Sequence, residues 1–295
     1  NLDVKVVADG GKTTGIFIDG ASTITGPVTA KNDAIGVYGS GGAVTIGAGG
    51  LTLNTDTDKG TGMYLVDGAY AAGGKITVNN TAAVDNIGVY YSKGTASGIV
   101  TNGAEIELTG TKSIGIYAAD GINLVNTKNI NSTTSNNIAS YIQGNSSLIS
   151  NGNITMNSLN NIGMYVEEGE GINNGVLDVS GATGTSSAGM AAKNNTLGNK
   201  SFIKNTGTIK SGNNLGMYIA GTGINSGINT GNITATTGTG VYVDGLENSF
   251  NGTEGTITSN AIGIYLKNTG SNKITAGTLN IASGGVGVFA DNAKI

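Results

Sequence analysis

The chain has 295 residues with a formal net charge of −4; 38% are apolar, 12% are charged, and there is neither His nor Cys. Its basic residues are all Lys, so imidazole and thiolate chemistry are excluded, and the basic stripe and bidentate Arg contacts that read nucleic acid are missing. No stretch reaches the ~18 continuous apolar residues of a membrane helix, and apolar residues at fixed spacing mark a chain that folds despite its abundant Gly, Asn and Thr.

One four-residue phrase (apolar, Gly, apolar, aromatic) recurs from end to end. Marked by its second position, it falls at Gly15, Gly36, Gly62, Gly88, Gly115, Ala139, Gly163, Gly189, Gly216, Gly240, Gly263 and Gly287, twelve copies spaced by 21 to 27 residues. A period of that size is the mark of a solenoid, whose units bury their apolar faces only by stacking. Within a copy the apolar residues alternate, as in Ile114, Ile116 and Ala118 or Ile162, Met164 and Val166, which predicts a strand with one buried face.

Along the chain, the first copy runs into Asp19-Gly20, a turn dipeptide that returns at Asp67-Gly68, Asp120-Gly121 and Asp244-Gly245. Short second strands are predicted at Ser147-Leu148-Ile149-Ser150 and Ser201-Phe202-Ile203-Lys204. Third strands are predicted at Lys75-Ile76-Thr77-Val78, Glu105-Ile106-Glu107-Leu108, Asn153-Ile154-Thr155-Met156 and Val176-Leu177-Asp178-Val179. Helix is disfavoured by the absence of a three-and-four recurrence and by fifty-two glycines. A leucine-rich repeat would fix Leu and Asn rather than Gly and Tyr, and a propeller blade needs a longer period. The expectation is an all-β, right-handed parallel β-helix of about twelve rungs, three short strands per rung, filling residues 1–295 as one domain. Because Val286-Gly287-Val288-Phe289 opens a further copy just before the last residue, a segment of a longer rod is expected.

With the aliphatic residues inward, Phe17, Tyr38, Tyr64, Tyr90, Tyr117, Tyr141, Tyr165, Tyr218, Tyr242, Tyr265 and Phe289 should stack outside as a ladder. Such rings could bind glycans or proteins; the scaffold reading is that each ring shields strand glycine. The ladder breaks at Ala191, leaving a notch between Tyr165 and Tyr218. Glu167-Glu168-Gly169-Glu170 and Asp56-Thr57-Asp58 offer oxygen ligands for a hard cation, but their spacing suits solvated turns better, so no metal and no cofactor are expected. Carboxylates scattered over turns, without Arg, argue against the glycosidase or lyase chemistry that β-helices host. Gly169-Glu170-Gly171 and Gly221-Thr222-Gly223 read as turns, not phosphate loops. Asn102, Asn151, Asn174 and Asn205, each before a third strand, are expected to form amide ladders. The segment Val66-Asp67-Gly68-Ala69-Tyr70-Ala71 reads as an insertion carrying a tyrosine outside the ladder. The candidate contact residues are Tyr70, Tyr165, Glu167, Glu168 and Tyr218.

Ser113-Ile114-Gly115-Ile116-Tyr117-Ala118, Asn161-Ile162-Gly163-Met164-Tyr165 and Ala261-Ile262-Gly263-Ile264-Tyr265 resemble the passenger repeats of large fusobacterial autotransporter adhesins, over essentially the whole chain. The resemblance implies a type Va passenger: a right-handed parallel β-helix displayed on the cell surface and anchored to the outer membrane through a C-terminal β-barrel outside these residues. It implies adhesion to host glycans or protein receptors or to partner bacteria. No binding residue carries over, because the matched motif is the scaffold rung. On this reading the chain is a monomeric stalk and binding face, not an enzyme. A polysaccharide-degrading β-helix and a trimeric tail-fibre-like protein are the alternatives; clustered carboxylates would favour the first and threefold association the second.

Overall fold

The computed structural model describes residues 5–55, 59–80, 85–182, 186–194, 196–268 and 274–293. The fold is all-β, a right-handed parallel β-helix, the hand that parallel crossover connections take almost without exception. It divides into two compact units, Asn1–Gly152 and Asn153–Ile295. In the first, the phrase strands Thr14–Asp19, Ile35–Ser40, Thr61–Val66, Asn86–Ser92, Ser113–Ala119 and Ile138–Ile142 pair in parallel, each with the next. In the second, Ile162–Val166, Ala188–Lys193, Leu215–Ala220, Thr239–Asp244, Ile262–Lys267 and Val286–Asp291 do the same. Every predicted phrase is thus a strand.

Second and third strands also pair with their equivalents one rung away, as Ser146–Ser150 does with Asn123–Asn126 and Asn232–Ala235 with Thr208–Lys210. Among the described residues two rungs depart from three separate strands: Tyr70–Asn80 and Ile99–Leu108 each run through the second and third positions without a break. The corner between the positions is made inside the strand, by Gly73 and Gly74 at φ 63° and 65° in one and by a register shift between Gly103 and Glu105 in the other.

Each unit's core is built from matched columns. Val89 and Ile116 stack from the phrase strands of the first unit and Met164, Met190 and Met217 from those of the second, all with no accessible surface. The third strands face them with Ile76, Ile106 and Ile130, and with Leu177, Ile209 and Ile233. Matched columns let a branched side chain meet its like one rung away, which gives close packing at each step.

Strict alternation fails inside the phrase. Ile116 and Ala118, and Met164 and Val166, are inward as expected, but Ile114 and Ile162 are only half-buried, on the same outer side as the tyrosines. The glycine causes the change of face. Paired residues step over it, from Ile87↔Ile114 to Val89↔Ile116, and glycine and the following aliphatic residue both turn inward. A Cβ on Gly88 would lie 2.7 Å from the Gly115 carbonyl oxygen and 3.1 Å from Val78 Cγ2. The phrase glycine therefore serves close backbone approach inside the coil, and the expectation that it exists to be covered by a ring is corrected.

The inside also carries polar chains. In the first unit the Tyr91 hydroxyl donates to Asn102 Oδ1 at 3.0 Å, Asn102 Nδ2 donates to Asn126 Oδ1 at 2.8 Å, and Asn126 Nδ2 donates to Ser150 Oγ at 3.2 Å. In the second unit Asn173 donates to Asn205 and Asn205 to Asn229, both at 2.8 Å. Each amide also donates to the carbonyl two residues on, closing the turn into the third strand. The expected ladder is therefore present with Asn102 and Asn205 in it. Asn151 and Asn174 lie one residue past the ladder position and are exposed, because alternation turns the residue after an inward one outward.

Among the described residues Tyr91 is the largest fully buried side chain, and burial pushes its hydroxyl pKa up. Tyr91→Phe would strip Asn102 Oδ1 of its donor and the Ala71 amide, 3.3 Å from the hydroxyl oxygen, of its acceptor. The expected loss is about 1–3 kcal/mol, read as a lower denaturation midpoint; an unchanged midpoint would remove the chain's anchoring role.

Candidate functional site

The outer face of the phrase strands carries the aromatic ladder. In the first unit Phe17, Tyr38, Tyr64, Tyr90, Tyr117 and Tyr141 stack with successive ring centroids 5.2, 5.5, 4.7, 5.0 and 4.9 Å apart. In the second, Tyr218, Tyr242, Tyr265 and Phe289 follow at 5.5, 5.0 and 5.0 Å. Register imposes the spacing, since rings on paired residues of adjacent strands stand one strand separation apart. Each such contact adds about 0.5–1.5 kcal/mol beyond the area it buries.

Crowded hydroxyls resist ionisation. Burial and then the Asp120 carboxylate push Tyr90 up to about 12 from its ordinary 10.0, and burial and then Asp244 push Tyr242 up to about 12. Burial leads the upward shifts of Tyr64, Tyr165 and Tyr218 as well. A folded-state pKa above the unfolded value means that the fold holds its protons more tightly. That stability is complete below about pH 10 and is lost as pH rises through about 12. Phenolate formation at Tyr90 and Tyr242, read as the absorbance lost in Tyr90→Phe and Tyr242→Phe, should therefore accompany loss of the β-sheet circular dichroism signal in that window; phenolate forming at these two residues near pH 10 in an intact fold would contradict the packing.

The ladder's gap lies where the sequence placed it. Tyr165, Ala191 and Tyr218 are paired residues of three consecutive strands. Ala188, at the other outward position of the same strand, is paired with Ile162 and Leu215. This is the one phrase copy with alanine at both positions, and the result is a slot of about 350 Å³. Tyr165 and Tyr218 form its walls, Ala188 and Ala191 its floor, Ile162 and Leu215 its flank, and Ser186 and Lys193 its mouth. The floor is covered, with Ala191 1% exposed, and the Tyr165 hydroxyl leans across to donate to the Lys193 carbonyl at 3.4 Å.

The other candidates separate from this slot. Glu167 and Glu168 form the half-buried turn after the Tyr165 strand. The Glu167 charge, after burial, raises the Tyr165 pKa, and its carbonyl accepts from the Ser201 hydroxyl. Among the described residues no three acidic groups come close enough to hold a metal ion; Asp56-Thr57-Asp58 lies outside the described residues. Tyr70 is not in an insertion. Asp67-Gly68 is the ordinary turn after a phrase strand, at φ 53° and 82°, and Tyr70 pairs with Ala43 as the first residue of its strand. The longer excursion is the exposed stretch 93–98, tied back where the Thr95 amide and hydroxyl donate to Asp67 Oδ1 at 2.7 and 2.8 Å.

Ala188, Leu215 and Lys193 were not among the predicted site residues. The signal for the first was in plain view, since alanine opens the phrase only once. Compared with protein-family models, curated proteins and solved structures, the chain matches none.

Proposed function

We propose that this chain is a segment of a bacterial cell-surface adhesin passenger, working as a stiff monomeric stalk that also offers a binding face to host glycans, protein receptors or partner bacteria. The observation that carries the reading is the doubled ladder. Within each unit, aromatic stacks outside and amide chains inside tie neighbouring rungs together, which suits a part whose task is to hold its form while displayed on a surface. The phrase resemblance adds display outside the outer membrane through a barrel carried elsewhere in the protein.

The test is display of these residues on a non-adherent bacterium through a heterologous outer-membrane barrel. Attachment to epithelial cells and to partner bacteria should rise several-fold over the barrel alone. Full display with attachment at the barrel-alone level would sink the binding-face half of the proposal.

A further inference from the structure

We propose that the slot at Ala191 is a receptor for one aromatic side chain of a protein partner, which enters between Tyr165 and Tyr218 and completes the ladder. The inference deepens the adhesin reading by naming what one site on that face would hold. The two walls belong to strands two steps apart, so their backbones stand about 9.6 Å from one another. A ring midway would lie about 5 Å from each wall, the separation at which the chain's own rings stand, 5.5 Å for Tyr218 and Tyr242 and 5.0 Å for Tyr242 and Tyr265. A volume of about 350 Å³ is ample, since ~150 Å³ of apolar cavity already admits benzene.

The lining selects among rings. The polar groups of the lining are the two Tyr hydroxyls, Ser186 and Lys193, while floor and flank are aliphatic and both walls are aromatic faces; a sugar ring can stack its C–H face on one wall, but seated between both it would strip of water the hydroxyls that point to the aliphatic floor. An aromatic side chain meets no such cost. Lys193 stands at the mouth, where the backbone carrying the ring would emerge and present carbonyls to its ammonium. At rest the Tyr165 hydroxyl leans over the floor to donate a long hydrogen bond to the Lys193 carbonyl, and entry of a ring requires Tyr165 to swing back from the floor.

The test uses the 295-residue chain labelled with 3-fluorotyrosine, the Tyr165 and Tyr218 fluorine signals being assigned with Tyr165→Phe and Tyr218→Phe. The probes are p-cresol, N-acetylphenylalanine amide and methyl β-galactoside. Both aromatic probes should shift the two signals saturably at millimolar concentration, and the galactoside should not. Ala191→Tyr, which gives this rung the ring its neighbours carry, should fold with the same β-sheet spectrum and abolish both shifts. Absent shifts, shifts that persist in Ala191→Tyr, or saturation by the galactoside alone would each overturn the proposal. Because these readings are made in solution, cell attachment without probe binding would sink the slot and leave the adhesin reading, and probe binding without attachment would do the reverse.

Discussion

Asn205→Ala is expected to lower stability by about 3–4 kcal/mol, at one to three for each buried polar group left unsatisfied. Asn205 sits in the middle of its chain, taking a hydrogen bond from Asn173 and giving one to Asn229, both at 2.8 Å. Alanine there orphans Asn229 Oδ1 and deprives Asn173 Nδ2 of its nearest acceptor. It also removes the donor that Asn205 offers to the Gly207 and Asn232 carbonyls. Asn174→Ala is the matching control. Its side chain is exposed and accepts from the Thr206 hydroxyl at the surface, so its cost should stay within about 0.5 kcal/mol. Denaturation midpoints of the two variants decide the matter, and equal effects would mean that the amide chain contributes nothing special.

Gly88→Val should cost about 3 kcal/mol or more, at the upper end of overpacking effects. The first added carbon already meets the Gly115 carbonyl oxygen at 2.7 Å and Val78 Cγ2 at 3.1 Å, and backbone on one side leaves nothing flexible to move. Alanine at the same position should be milder, about 1–2 kcal/mol, because a phrase strand of this same fold accepts Ala139 there with no accessible surface. Thermal or chemical denaturation of the pair should show this order, with valine far worse than alanine. Two equal and small effects would refute the close-approach account of the phrase glycine and restore the view that the residue serves the rings outside.

The phrase strands and the place of the broken ladder were legible because parallel stacking converts sequence period into spatial register. Once Ile-Gly-Val-Tyr is a strand, its copies must lie over one another, and an alanine among tyrosines must leave a gap. What was not legible turned on single-residue shifts of face. The phrase glycine moves the first isoleucine outward, so Ile162 and Leu215 became flank residues of the slot rather than core; strict alternation has no means of announcing that step. The asparagine ladder was read one residue late at Asn151 and Asn174 for the same reason, since the residue before each, Ser150 or Asn173, is also polar and is the one turned inward. Tyr91 was passed over although the doublet Tyr90-Tyr91 contains its own clue: neighbours on a strand face opposite ways, so one ring of the pair had to be inside.

The recurrence of the phrase at one fixed step of every rung also bears on heredity. A deletion from Gly88 through Ile114 joins Ile87 to Gly115, and the new junction reads Ile-Gly-Ile-Tyr, the same words as before. The inward column and the outer ring are then carried by residues already matched to the strands they would meet. Slippage or recombination between copies in the gene thus shortens or lengthens the protein by whole rungs without writing a single unfamiliar junction, so variation in length is a cheap form of variation for this chain, whereas a cut that ignores the phrase mismatches the columns of the two rungs it joins.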